Sequence, residues 1–307
     1  MTDDQWPSVS VVVATRDRKE LLRKTLTAIQ QQDYLGVIET LVVHDQSEPD
    51  PTLVVTDERR PVRVLSNTRS PGLAGARNTG ILASQQPLIA FCDDDDTWLP
   101  AKLTLQVRQL LASGADVGVS GIVVCYADHE ITRVPKAADL TIEELSRRRV
   151  TEAHPSTVIV RREALLGPIG LVDEEIPGSY GEDYDWILRA VENGPIDVLE
   201  EPTTRVLWSQ SHSFFSARWT LIIEAIDYLL AKHPALSRSQ EGLAWNYGRK
   251  AFGYAALKQR RQAVRWGLRS IRLNWRERRG YLALLVAAGL VSADRITNFA
   301  HTRGKGI

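Results

Sequence analysis

Four consecutive carboxylates, Asp93, Asp94, Asp95 and Asp96, follow directly on the apolar run Leu88-Ile89-Ala90-Phe91-Cys92. A run of that length reads as a buried strand, and open α/β sheets bind ligands in the crevice beyond their strand ends. Carboxylates packed side by side raise one another's pKa until a cation neutralises them. The arrangement suits a hard divalent ion, Mg²⁺ or Mn²⁺, held by carboxylates together with a substrate's phosphates. The plain alternative is a solvated acidic turn, but the position directly after a buried strand favours the metal. A second acidic group, Glu182, Asp183 and Asp185, lies in Tyr180-Gly181-Glu182-Asp183-Tyr184-Asp185-Trp186. It opens a predicted helix, where the dipole by itself favours carboxylates without any chemistry.

The elements that must position these groups alternate along the first half of the chain. The β-branched run Val9–Thr15 predicts a strand, and Leu21, Leu22, Leu26 and Ile29 recur at helical spacing over 20–32. Strands follow at 40–43 and 62–65. Strand, helix, strand in repetition predicts a parallel sheet covered by helices. The glycine-rich turn at 71–80 fits neither GxGxxG nor GxxxxGK[ST], so both nucleotide fingerprints are absent. Its backbone N–H groups and Arg77 can nevertheless approach a phosphate. A helix opening at Trp98-Leu99-Pro100 is expected to run to about Ala112, with Leu103, Val107, Leu110 and Leu111 inward. Farther on, 117–126 and 156–161 read as strands and 140–147 as a short helix.

From Ser216 the pattern is helical only, with helices expected at 221–230, 241–257, 262–271 and 281–290. Basic residues from Arg249 to Arg279 interleave there with Trp245, Trp266, Trp275 and Tyr281. Such a surface suits peripheral contact with an anionic membrane, the alternative being a solvated helical face that docks on the rest of the chain.

At 307 residues the chain can bury an ample core, and a formal net charge of zero gives no argument for nucleic acid. Its two cysteines, Cys92 and Cys125, are too few and too far apart for a disulfide framework or a zinc site. The first seven residues lack the basic and apolar regions of a signal peptide, and the longest apolar run, 281–291, is too short to span a bilayer. A cytoplasmic location, with membrane association on that face, is the expectation.

Taken in order, these pieces resemble the family 2 glycosyltransferases, inverting enzymes of the GT-A fold that use nucleotide-activated sugars. VSVVVATRDR at 9–18 resembles the family's VSVVIPTYNR, and VVHDQS at 42–47 its VVDDGS. Arg77-Asn78-Thr79-Gly80 matches ARNxG, Asp93 to Asp96 the DxD region, and Gly181-Glu182-Asp183-Tyr184-Asp185 the GEDxD segment. The resemblance implies a GT-A type Rossmann-like, mostly parallel sheet flanked by helices over 1–215, with an all-helical extension at 216–307. It further places nucleotide-sugar binding at about 8–100 and the acceptor side with the base at about 101–215.

The same resemblance implies roles. Thr15, Arg16, Asp17 and Asp45 would hold the nucleotide base, with His44 in place of the usual first aspartate. A carboxylate at Asp45 accepts an imide N–H of uracil or thymine, or N1–H of guanine, which points to a UDP-, dTDP- or GDP-sugar. Arg77 and Asn78 would support the nucleotide, and Asp93, Asp94 and Asp95 would share ribose and metal, with Asp95 the direct ligand. His212 falls where relatives carry a histidine near the diphosphate, as a further metal ligand or a structural residue. Asp183 is the expected general base, with Glu182 and Trp186 on the acceptor side. The acceptor is a hydroxyl on a saccharide, a lipid-linked sugar or a natural product, and candidate contacts lie at 151–157 and 177–180.

Two other readings compete. Asp93-x-Asp95-x-Thr97 satisfies DxDxT, the signature of HAD-type phosphatases, although three predicted strands precede it where that motif follows the first. A non-catalytic sugar-binding relative on the same scaffold is the other.

Overall fold

Val9–Thr15 forms β1, buried along its length but for half-buried Ala14, in the computed structural model of the chain, which describes residues 6–126, 129–208 and 218–301. Those residues cluster into two units, one holding the described residues to Thr141 with Val150–Glu174 and Glu182–Leu207. The other holds Ile142–Arg149, Glu175–Gly181 and the described residues from Trp208 onward.

In the first unit α1 (Lys19–Gln30) covers one face of the sheet through Leu22, Thr25, Leu26 and Ile29, the spacing of one helical stripe. β2 (Ile38–His44) pairs parallel with β1, and β3 (Val62–Ser66) lies parallel outside β2. α2 (Leu73–Ala83) presses on the opposite face so closely that a Cβ at Gly80 would sit 2.4 Å from Val12. Only glycine lets this helix approach the strands that far. β4 (Leu88–Phe91) pairs parallel with β1 on its other side. The ends of β1, β2 and β4 thus open on one edge, carrying Arg16, Asp45 and the aspartate run.

β5 is the two-residue strand Thr97–Trp98, and α3 spans Lys102–Ser113. Trp98 therefore does not open a helix: it pairs with the far edge of the sheet, and the helix starts four residues later. Leu103, Val107 and Leu110 are buried as expected, while Leu111 is exposed because it lies one step round the helix from that stripe. β6 (Val117–Tyr126) and β7 (His129–Arg133) form a hairpin. After α4 (Ile142–Arg147) of the second unit, β8 (Ile159–Arg161) enters antiparallel between β4 and β6, and its first two expected residues, Ser156 and Thr157, lie instead in a turn of 3-10 helix at Pro155–Thr157. α5 (Arg162–Leu166) and α6 (Glu182–Asn193) follow, then β9 (Ile196–Leu207), parallel to β6. The strand order is β3-β2-β1-β4-β8-β6-β9-β5, with β7 beside β6. Parallel pairing on the β1 side, antiparallel insertion of β8 and helices on the faces make the GT-A type α/β architecture that the motifs imply.

The second unit is helical: α7 (Trp219–Lys232), α8 (Pro234–Arg238), α9 (Gln240–Ala256), α10 (Arg260–Leu273), α11 (Arg278–Ala287) and α12 (Ala293–His301), with α4. Its core is built of small residues, Ala251, Ala255, Ala263, Ala283 and Ala287, around Phe252, so helix axes approach closely. At the α10–α11 seam, a Cβ on Gly267 would lie 3.1 Å from the carbonyl of Gly280. Among the described residues no helix is long and apolar enough to cross a membrane.

Candidate active site

The four aspartates leave β4 in four different environments. Asp94 is 5% exposed and accepts from Thr15 Oγ1 at 2.7 Å and Arg18 at 3.1 Å. Asp96 is 1% exposed and accepts from Ser156 Oγ at 2.5 Å and the Leu207 backbone N–H at 3.3 Å. These two are turned into the protein. Asp93 and Asp95 remain partly open, at 27% and 22% of their side-chain surface. Asp95 pairs with Arg18 at 2.7 Å. Burial, then Asp93 and Asp94, push the Asp95 pKa up to about 6 against the pull of Arg18. Asp96 is raised well above the carboxylate range by burial first and then by Asp93 and Asp95.

A single guanidinium joins the two acidic groups of the sequence. Arg77, 4% exposed on α2, donates to Asp93 Oδ1 at 2.7 Å and to Glu182 Oε1 at 2.8 Å. Burial opposes its charge, but Asp93 and Glu182 outweigh burial and raise its pKa. Next to Arg77, Asn78 donates to the Val172 carbonyl at 2.8 Å and to Glu174 at 2.6 Å, and its own carbonyl accepts from Val172 N–H at 2.9 Å. Asn78, Arg69 and Ser70 hold the Glu174 carboxyl down at about 2 despite its desolvation. The ARN segment is therefore an internal clamp, fastening the 172–174 loop and the start of α6 to the aspartate run.

Asp183, in the first turn of α6, lines a small pocket with Arg77, Phe91, Pro155, Glu182 and Trp186. Trp186 is 4% exposed and packs edge-on against Phe91, with centroids 6.2 Å apart. Its indole N–H has no hydrogen-bond partner among the described residues. A buried donor left open beside a carboxylate in a pocket is a feature of ligand sites rather than of filled cores.

At the other end of the strand edge, Asp45 is 7% exposed and accepts from Asn67 at 2.8 Å, Gly72 N–H at 3.0 Å and Gln46 at 2.9 Å. Desolvation raises its pKa, but these donors bring the net value below the usual range. A carboxylate offers about four acceptor positions, so capacity for one further N–H remains. Arg16 and Asp17 are exposed at the end of β1, Asp17 in the left-handed region at φ 55°. His44 is buried, which lowers its pKa, and its Nε2 lies 3.4 Å from the Asp50 N–H. His212 lies outside the described residues.

Residues 154–157 do something the sequence did not disclose. Expected as acceptor contacts and the start of a strand, they fold against the aspartates. Ser156 Oγ accepts from Asp93 N–H at 2.9 Å while donating to Asp96, and His154 Nδ1 lies 3.4 Å from Asp96. One ligand atom each of Asp93, Asp96 and His154 lie within 4.8 Å of one another, a grouping able to hold a metal ion. Behind this turn the amino group of Lys102, itself fully buried, donates to the Thr157 carbonyl at 3.3 Å and lies 4.6 Å from the centre of the Trp98 ring. The polar cluster His154, Ser156 and Thr157 ahead of an apolar strand was the available signal, but nothing local said which way it would turn.

Comparison with known proteins agrees with this geometry. The model of the glycosyl transferase family 2 matches residues 10–166. The succinoglycan biosynthesis protein ExoO of Rhizobium meliloti is 31% identical over 78% of this chain and 72% of its own length. The UDP-Glc:alpha-D-GlcNAc-diphosphoundecaprenol beta-1,3-glucosyltransferase WfgD of Escherichia coli is 29% identical over 40% of this chain, which spans 46% of it. The structure of S. aureus TarS 1–349 in complex with UDP-GlcNAc superposes with a TM-score of 0.62, covering 97% of this chain and 92% of that one at 18% identity. The DxDxT sequence thus sits at the strand end of a transferase scaffold, which sets the phosphatase reading aside. The chain is a glycosyltransferase and belongs to glycosyl transferase family 2.

Proposed function

We propose that the protein transfers a sugar from a UDP- or dTDP-sugar to a hydroxyl acceptor by single displacement with inversion, Asp183 acting as general base. The observation that carries this reading is the Arg77 bridge, because it ties the donor-side Asp93 to Glu182, the neighbour of Asp183. An inverting transfer needs a proton acceptor on one side of the anomeric carbon and charge stabilisation for the departing diphosphate on the other. Asp183 takes the proton of the attacking hydroxyl, and Glu182 and Trp186 orient the reacting sugar, the free indole N–H of Trp186 offering it a hydrogen bond. Arg77 and Asn78 hold the walls of the donor site, and Thr15, Arg16, Asp17 and Asp45 receive the nucleoside.

The two partly open carboxylates fit a hard cation, since Asp93 and Asp95 present oxygen ligands in a run whose charge Arg18 and Arg77 only partly offset. Asp93 and Asp95 would hold Mg²⁺ or Mn²⁺ there, and the ion would supply Lewis-acid stabilisation of the leaving diphosphate. The names of relatives support the donor and acceptor classes: WfgD is described as using UDP-Glc and a diphosphoundecaprenol-linked GlcNAc, and TarS was solved with UDP-GlcNAc. A lipid-linked sugar is accordingly the acceptor class proposed.

The test compares Asp183→Asn and Asp95→Ala with the unchanged chain in transfer from a panel of UDP-, dTDP- and GDP-sugars. Asp183→Asn should bind donor normally and lose about 10²–10⁴ in rate, the usual contribution of a general base. Full transfer by Asp183→Asn, or metal-independent transfer by Asp95→Ala, would overturn the assignment.

A further inference from the structure

The second unit exposes large apolar side chains and cations on the same stretch. Leu268 is 55% exposed, Trp275 68%, Tyr281 43%, Leu285 41% and Leu290 72%. Between Lys258 and Arg278 eight lysines and arginines are exposed and no carboxylate is, Glu277 being half-buried and paired with Arg279 at 2.9 Å. The helices bring these residues together. α10 packs inward through Ala263, Gly267 and Ser270, and Leu284 of α11 lies against Gly267. Leu268 therefore flanks the seam on α10, and Tyr281 and Leu285 flank it on α11. The Tyr281 hydroxyl donates to the Trp275 carbonyl at 3.0 Å, fastening the loop tryptophan at one end of the strip. Arg261, Arg265 and Arg272 recur at i, i+4 and i+11 on the outer flank of α10, where all three are exposed.

We propose that the α10–α11 face is a membrane-binding surface that lies in the headgroup region of an anionic phospholipid bilayer. Leu268, Leu285 and Trp275 enter the boundary with the acyl chains, and the arginines meet lipid phosphates. A bilayer satisfies both halves of the surface at once. A second copy of the chain would set arginines against arginines, and a polynucleotide would answer the arginines while leaving Leu268 and Leu285 without an apolar partner. The inference stands apart from the choice of donor or acceptor, since it concerns the second unit alone. Its consequence for the proposed function is a means of bringing the chain to a lipid-linked substrate.

The full chain is tested by co-sedimentation with vesicles that contain no acceptor. Binding is expected to vesicles of phosphatidylcholine and phosphatidylglycerol in equal amounts, to fall as salt rises, and to be absent with phosphatidylcholine alone. Arg265→Gln and Arg272→Gln should each weaken it about fivefold, the effect of one cation near an anionic surface. Leu268→Asp with Leu285→Asp should abolish it, and the milder Leu268→Ser with Leu285→Ser should weaken it if the first pair disturbs folding. The fluorescence of Trp275 should shift to the blue on binding, a shift missing in Trp275→Phe. No affinity for anionic vesicles, equal affinity for neutral ones, or unchanged affinity in the leucine variants would overturn the proposal. So would a solution dimer that Leu268→Asp dissolves, or a polynucleotide complex that the leucine variants retain while vesicles do not bind.

Discussion

Arg77 and Glu182 lie 105 residues apart and form an ion pair of 2.8 Å in which both side chains are almost excluded from water. The same guanidinium reaches Asp93 at 2.7 Å, so one buried cation serves two carboxylates from two segments. Removing it takes from buried Glu182 a charge partner 2.8 Å away, and breaking a buried ion pair is costly. Arg77→Ala should destabilise the chain by about 3–5 kcal/mol. Arg77→Lys keeps the charge but cannot reach both partners as a planar fork does, so it should recover part of the stability and little activity. Urea unfolding measures the first effect, and an Arg77→Ala midpoint equal to that of the unchanged chain would contradict the clamp.

Ser156 carries a comparable load on the other side of the aspartate run, because its hydroxyl accepts from Asp93 N–H and donates to Asp96. Ser156→Ala leaves both groups without that partner and should cost about 1–3 kcal/mol. The activity loss should exceed that of a change in a solvated loop, because the Asp93 backbone loses its hydrogen bond at the same time. Denaturant midpoints and transfer rates measured on the same preparations test this, and a Ser156→Ala chain unchanged in both would refute it.

Lys102 sets a pH dependence of stability. It is fully buried, and desolvation lowers its pKa to about 7 in the folded chain. An unfolded lysine titrates near 10.4, so between about 7 and 10 the unfolded chain binds more protons and stability rises with pH by an amount on the order of a few kcal/mol. Lys102→Met should remove this rise while keeping the stem that packs on Trp98. Unfolding followed from neutral to alkaline pH decides the matter, and parallel curves for the two chains would exclude Lys102 as the cause.

Asp45 has three donors and room for one more N–H. Asp45→Ala should weaken UDP or dTDP binding by about tenfold or more, the worth of a hydrogen bond to a charged group. Calorimetric titration with each nucleotide provides the measurement, and equal affinities in the two chains would remove Asp45 from base recognition.

Much of this is legible in the sequence. The apolar run 88–92 is a local signal, so the delivery of four aspartates to a strand end follows from it, and the parallel pairing of β1 to β4 follows from the alternation of strands and helices. The helices α7, α9, α10 and α11 were equally plain from their spacing. β9 was not, because Glu200, Glu201 and Pro202 interrupt its alternation where the register against Gly121 shifts, and the segment has no continuous apolar run to stand in for it.

What the sequence determined alone is the order and type of most of the elements and the presence of two acidic clusters, since periodicity and composition are properties of neighbouring residues. Only the tertiary structure decided which aspartates face inward, that Arg77 joins the clusters, and that Ser156 and His154 fold onto them. Those contacts link residues 16 to 111 positions apart. The state of a charged group depends on its burial and its partners, and both are supplied by chain that is distant in sequence.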